Sequence, residues 1–538
     1  MLAWIGRILR HAHRDRFRSP RHSRGEPGSV TPPEEDRTLT SSLDQNKKII
    51  AAILDRADDL MIREFSFGGK KPRRAFLAYF EPLVNPELLH RDLLQPLLRL
   101  EQLPGEVTIQ WLKEQVLPAG RVFQKKNWRD IADDIARGLT ALFVEDQDSA
   151  LLVYFFEDIS RPIDQPTTET VVRGPADSFN EDLRTSMALL RKRLCTSRLA
   201  VERFELGEVT KTAVNLVYLK GYVDPELVQE AGARLRRIRA DGVLASGQVE
   251  EFIQDNPYSP FSGIDATERP DRLASALLEG RLGLLFDNTP FALIFPTTLV
   301  AQLQSPEDYY NRYLFSSFIR LLRWVGLAFS LLLPSFYIAV TTFHQELVPT
   351  TLLFSLITSR EGVPFPGFLE ALIMEITFEI LREAGIRLPR PFGQTISIVG
   401  AVVIGSAAVS ASLVSPAMIV VVALTAIASY TVPSLSLGTA VRALRFPMMV
   451  AAAFLGLFGI MLALSVLTLH LSSLRTFGVP YLSPLAPLTL GDLKDTLVRV
   501  PVWMMVRRPR LTGQREPQRM HPDLKPRPPH PRREGGAG

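Results

Sequence analysis

The residue types and spacings that promise chemistry lie in the second half of this 538-residue chain. Glu375, Glu379 and Arg382 fall at i, i+4 and i+7, on one face of a helix, while Phe368, Leu372, Ile376 and Ile380 supply apolar surface elsewhere on it. Inside a membrane such acids mark an ion or proton route. At the interface the same residues read as ordinary Glu/Arg pairing, and both readings stand at this point. Further on, Thr395, Val399, Val402, Ser406 and Ser410 share a helical face at about 100° per residue. A hydroxyl stripe pinched by valines is the pattern of a pore lining that gates by dewetting. Gly400, Ala407 and Ala411 lie on an adjoining small-residue face, which suits close helix packing in lipid. The bland alternative is that those serines bond to their own helix or to a neighbour.

Other chemistry finds little support. There is no GxxxxGK[ST] phosphate loop, no GxGxxG, no GxSxG elbow and no HExxH; His344-Gln345-Glu346 lacks the second histidine that would grip a metal. One cysteine, Cys195, excludes an intrachain disulfide and a multi-cysteine zinc site. Catalytic residues, metal and cofactor are therefore not expected, and an enzyme is not the reading. The net charge of +5 is unevenly spread: residues 1–24 carry seven Lys or Arg against one acid, residues 507–538 nine against three, and the body between them is negative. That distribution argues against a nucleic-acid face and leaves the tails to anionic lipid.

The elements that must position these residues divide the chain in two. Pro391 to Val441 contains no Asp, Glu, Lys, Arg or His, long enough for two spans at about 20 residues each. The expected architecture is α+β joined to α-helical membrane: two cytoplasmic α/β modules followed by a polytopic transmembrane domain of four to five helices. Residues 1–40 form a basic disordered leader, 41–160 the first module, 161–180 a linker and 181–311 the second module. Residues 312–480 hold spans at about 324–343, 395–413, 417–432 and 446–469, with a partial helix at 366–385; a juxtamembrane segment (481–508) and a Pro/Arg-rich disordered tail (509–538) follow. Within the modules, helical periodicity runs from Leu43 to Ile62, Asn127 is placed to cap a helix ending near Arg137, and hairpins are expected at 140–156 and 282–295. The amino terminus has no export signal, and Arg312, Arg320 and Arg323 before the first span favour a cytoplasmic soluble half.

The run GVPFPGFLEALIMEITFEILREAGIRLPRPFGQTISIVGAVVIG (Gly362–Gly405) resembles the hallmark stretch of the A subunits of GerA-type bacterial spore germinant receptors. RGPADSFNEDLRTSMALLRKRL (Arg173–Leu194), TERPDRLASALLEGRLGLLFDNTPF (Thr267–Phe291), TFHQELVPT (Thr342–Thr350) and SLRTFGVPYLSPLAP (Ser473–Pro487) are similar to the same family. The resemblance implies a protein of the spore inner membrane that acts with a transporter-like B subunit and a lipoprotein C subunit. It implies a homo-oligomer, a pentamer in family descriptions, forming a nutrient-gated monovalent-cation channel whose pore region is Thr395–Leu413. A SpoVAF-type paralogue resembles the same pattern. Here Ser406, Ser410 and Ser412 stand where relatives have longer polar residues or Gly, and Asn288 stands where Gly is usual.

Overall fold

The structure is a computed structural model that describes residues 38–69, 72–100, 108–118, 121–155, 165–166, 168–387, 405–512, 515–522 and 524–526. The chain forms two compact units: residues 1–254, 266–296 and 503–538 make the first, and residues 255–265 and 297–502 the second.

The first unit contains the two α/β modules. Module one runs α1 (Leu43–Ile53), β1 (Leu60–Phe67), β2 (Arg73–Phe80), short helical segments between Pro86 and Val116, β3 (Val122–Lys125), α2 (Trp128–Ala136), β4 (Leu139–Val144) and β5 (Ala150–Tyr154). Its sheet order is β1-β2-β4-β5-β3. Alternation along β2 explains the layering. Phe76, Ala78 and Phe80 pack with Trp128, Ile131 and Ile135 of α2 and with Ile50 of α1, whereas Ala75 and Leu77 pack with Leu89, Leu93 and Leu97 on the other face. Phe76 stacks on its cross-strand partner Phe143 with ring centroids 4.4 Å apart. Asn127 caps α2 as expected, its Oδ1 accepting the Arg129 N–H at 3.1 Å.

The helix expected to reach Ile62 stops at Ile53. Arg56 turns the chain at a φ of 55°, and Leu60–Phe67 pairs with β2 along eight residues. Bonding to a neighbouring strand overrode helical periodicity there.

Module two repeats the plan: α3 (Leu183–Arg193), β6 (Leu199–Leu206), β7 (Thr212–Leu219), α4 (Pro225–Arg237), α5 (Ser246–Ile253), β8 (Asp265–Thr267), α6 (Pro270–Leu278), β9 (Leu282–Phe286) and β10 (Ala292–Phe295). Its order, β6-β7-β9-β10-β8, is that of the first sheet position for position. The modules are joined by buried chemistry. Arg191 of α3 lies 3.5 Å over the Phe80 ring and donates to Asp59 at 2.5 and 2.6 Å, and the Val201 N–H donates to the Arg56 carbonyl at 2.8 Å. In the carboxyl-terminal segment, expected to be disordered from 509, Arg508 lies over Tyr222 and donates to the Glu516 carbonyl at 2.7 Å.

The second unit is helical: α7 (Tyr313–Thr342), α8 (Thr350–Arg360), α9 (Gly367–Arg387), α10 (Gly405–Ser410), α11 (Pro416–Ser429) and α12 (Leu435–Ser473). Among the described residues, α7 and α12 are long and apolar enough to cross a membrane, and α11 is a shorter apolar helix. Its core joins Leu331, Ile338, Ala371, Met418, Val422, Met448, Met449 and Ile460. The span expected at 395–413 is described only from Gly405 onward.

Helix α12 is two arms. Straight, its 39 residues would reach about 58 Å. Yet Ser434 before it donates to Asp265 at 3.0 Å, while Thr476 beyond it fills the space where a Cβ of Gly263 would sit. Both ends thus lie beside residues 263–265, and the chain folds back at Gly456, whose φ of 58° and ψ of −140° are not helical. The span expected at 446–469 straddles this turn.

Candidate functional site

The packed face of α7 is built from small and polar residues, among them Gly326, Ser330, Pro334, Ser335 and Ala339. Such a face admits close helix approach. A Cβ on Gly326 would collide with the Thr431 hydroxyl. Proline has no N–H, so Pro334 leaves the Ser330 carbonyl without its helical donor. Arg445 of α12 fills that vacancy: its Nε donates to the Ser330 carbonyl at 2.8 Å and its Nη2 reaches Ser330 Oγ at 3.3 Å. Its Nη1 is paired with the Glu375 carboxylate of α9. Arg445 and Glu375 are each about 1% exposed, so the pair sits in the dry interior and joins three helices at one point.

Two further carboxylates continue along α9. Glu370, fully buried, accepts from the Ser415 N–H at 3.1 Å and the Ser415 hydroxyl at 2.9 Å, with Arg360 3.0 Å away. Ser415 is the N-cap of α11, so the acid stands at a helix amino terminus, where the helix dipole favours negative charge. Glu379 pairs with Arg382 one turn on. The buried stripe of α9 is Gly367, Glu370, Ala371 and Glu375. The expected Glu375/Glu379/Arg382 face is therefore divided: Arg382 takes Glu379, and Glu375 is taken by Arg445.

Sequence reasoning missed Arg445, Glu370 and Arg360. Arg442 and Arg445 precede the span expected at about 446–469, whereas the structure places them inside α12, which begins at Leu435. Pro334 was the available signal, since a proline within a span requires a donor from a neighbour.

Of the stripe residues, Thr395, Val399, Val402 and the packing candidate Gly400 lie outside the described residues. Ser406, Ala407 and Ser410 on α10, and Ala411 just after it, are exposed on the single chain.

Residues 48–511 match the family described as Bacillus/Clostridium GerA spore germination protein. The chain belongs to this family. It is 40% identical to spore germination protein KA of Bacillus subtilis (strain 168), over 91% of this chain and 90% of that one. It is 42% identical to the uncharacterized membrane protein YfkQ of the same organism, over 91% and 95%. A solved structure, the N-terminal domain of the A subunit of the Bacillus megaterium spore germinant receptor GerK3, is 30% identical, with a TM-score of 0.41, over 49% of this chain and 98% of that one. The GerA-family match over residues 48–511 takes in both the α/β modules and the helical unit that carries the buried charges.

Proposed function

We propose that this GerA-family protein is the A subunit of a nutrient germinant receptor in the spore inner membrane, its modules on the cytoplasmic side. Several copies, five in the family description, assemble around a gated path for monovalent cations, with a transporter-like B subunit and a lipoprotein C subunit as partners. The observation that carries the reading is a contrast between two polar surfaces of one helical unit. Glu375 of α9 closes onto Arg445 of α12 inside the protomer, and Glu379 onto Arg382 of its own helix. Ser406, Ala407 and Ser410 of α10 are exposed on the single chain, so they surround a path only when copies come together. The stripe Thr395, Val399, Val402, Ser406 and Ser410 is the lining in this reading, with Gly400, Ala407 and Ala411 against the next copy.

The test is K⁺ and Na⁺ flux in liposomes with the full chain, alone and with its B and C partners, comparing wild type with Val402→Ala and Ser406→Leu. The smaller residue at 402 widens the apolar pinch and is expected to raise leak; leucine at 406 is expected to reduce flux. Vesicles that stay sealed in every combination, with oligomers verified, would replace the channel by a non-conducting scaffold.

A further inference from the structure

Five charged side chains gather where the second half of α9 meets the first arm of α12: Glu375 and Glu379 against Arg382, Arg442 and Arg445. Arg445 is held by Glu375 and Arg382 by Glu379. Arg442 donates to its own helix, from Nη2 to Thr439 Oγ1 at 2.9 Å, and pairs with no carboxylate among the described residues. It lies within the fields of Arg382 and Arg445, both like charges, and of Glu379. The Nε atoms of Arg382 and Arg442 are both buried without an acceptor.

Glu379 Oε1 is also free of hydrogen bonds. Turning Arg442 onto it would only share one carboxylate between two guanidiniums. The surplus of one positive charge survives any choice of rotamer, and part-buried guanidiniums set beside like charges without a matching anion are costly. A ligand with one negative charge and several acceptor oxygens removes that cost, and a guanidinium fork matches the oxygens of a phosphate in pairs.

Position narrows the source of that phosphate. Tyr430, near Arg442, is 67% exposed at the end of α11. Its neighbour Thr431 packs on Gly326 of α7, two residues from Trp324. Tyrosine and tryptophan at one level mark the lipid headgroup region. Thr439 and Ala443, flanking Arg442 on its helix, are exposed, so the site opens outward toward lipid.

We propose that Arg442 and Arg382 bind the phosphate of an anionic phospholipid between α9 and α12. The full chain, purified in detergent, is examined by native mass spectrometry and thermal unfolding with phosphatidylglycerol, phosphatidylcholine or inorganic phosphate. Wild type is expected to retain phosphatidylglycerol over phosphatidylcholine and to unfold at higher temperature with it, and Arg442→Gln to lower that retention about fivefold. Arg442→Lys keeps the charge without the fork and is expected to fall between them; it decides the matter if the glutamine variant does not fold. Equal retention of the two lipids, or retention unchanged in both variants, overturns the site. Inorganic phosphate that reproduces the stabilisation on wild type overturns the lipid as its source.

Discussion

Arg445 answers two demands, the charge of Glu375 and the Ser330 carbonyl that Pro334 leaves bare. Removing one partner of a buried pair strands the other, so Glu375→Gln is expected to cost about 3–5 kcal/mol in unfolding measured in a single detergent. Leucine at both 375 and 445 removes both charges but not the second demand. That double variant is expected to stay about 1–3 kcal/mol below wild type, and adding Pro334→Leu, which restores an N–H, to recover much of the loss. A double variant as stable as wild type would contradict the role given to Ser330. Asn288 sits at a φ of 68° in the turn between β9 and β10, which gives a backbone reason for the glycine that the family pattern has there. Asn288→Gly should be neutral or slightly stabilising, and Asn288→Val should cost about 1–2 kcal/mol in the same measurement. The glycine pattern made Asn288 legible in the sequence. Arg445 was not, because a basic residue beside an apolar run looks the same whether it ends a span or lies within one.

At the scale of elements, strands that bury both faces and helices with a polar cap were readable from periodicity and capping residues alone. Asn127 and the 282–295 hairpin lie where those rules put them. The first strand was not readable, because Leu60–Phe67 owes its form to eight partners on β2 rather than to its own pattern. The fold-back of α12 was hidden for a related reason: hydropathy has no sign for direction, and an apolar run reads alike whether it continues or reverses. Gly456 alone carries the signal. Its conformation is one that essentially only glycine adopts, and a Cβ there would lie 2.8 Å from His344 Cε1. Spin labels at Ser436 and Ser472 should therefore sit close together, against about 54 Å for a straight helix. Gly456→Val should lengthen that distance or abolish the folded protein; a long distance in wild type would remove the hairpin.

On the scale of the whole molecule, the repeated strand order of the two modules makes the first unit a doubled architecture, held by the Asp59–Arg191 pair at its joint. Arg191→Met is expected to leave Asp59 uncompensated and to expose the segment between the modules to limited proteolysis, with each module still resistant. Protection equal to wild type would place the joint elsewhere. A different consequence follows from the other end of the chain. Tyr309 donates to Asp495 at 2.6 Å, and Arg320 bonds the same aspartate at 2.7 Å. Residues just before the first span thus hold residues well after the last. A path that leaves one face of a bilayer and returns to it crosses an even number of times, so the prediction is that positions 305 and 490 share a compartment, where a membrane-impermeant thiol reagent should reach cysteines placed at both or at neither; labelling at one alone would favour five crossings.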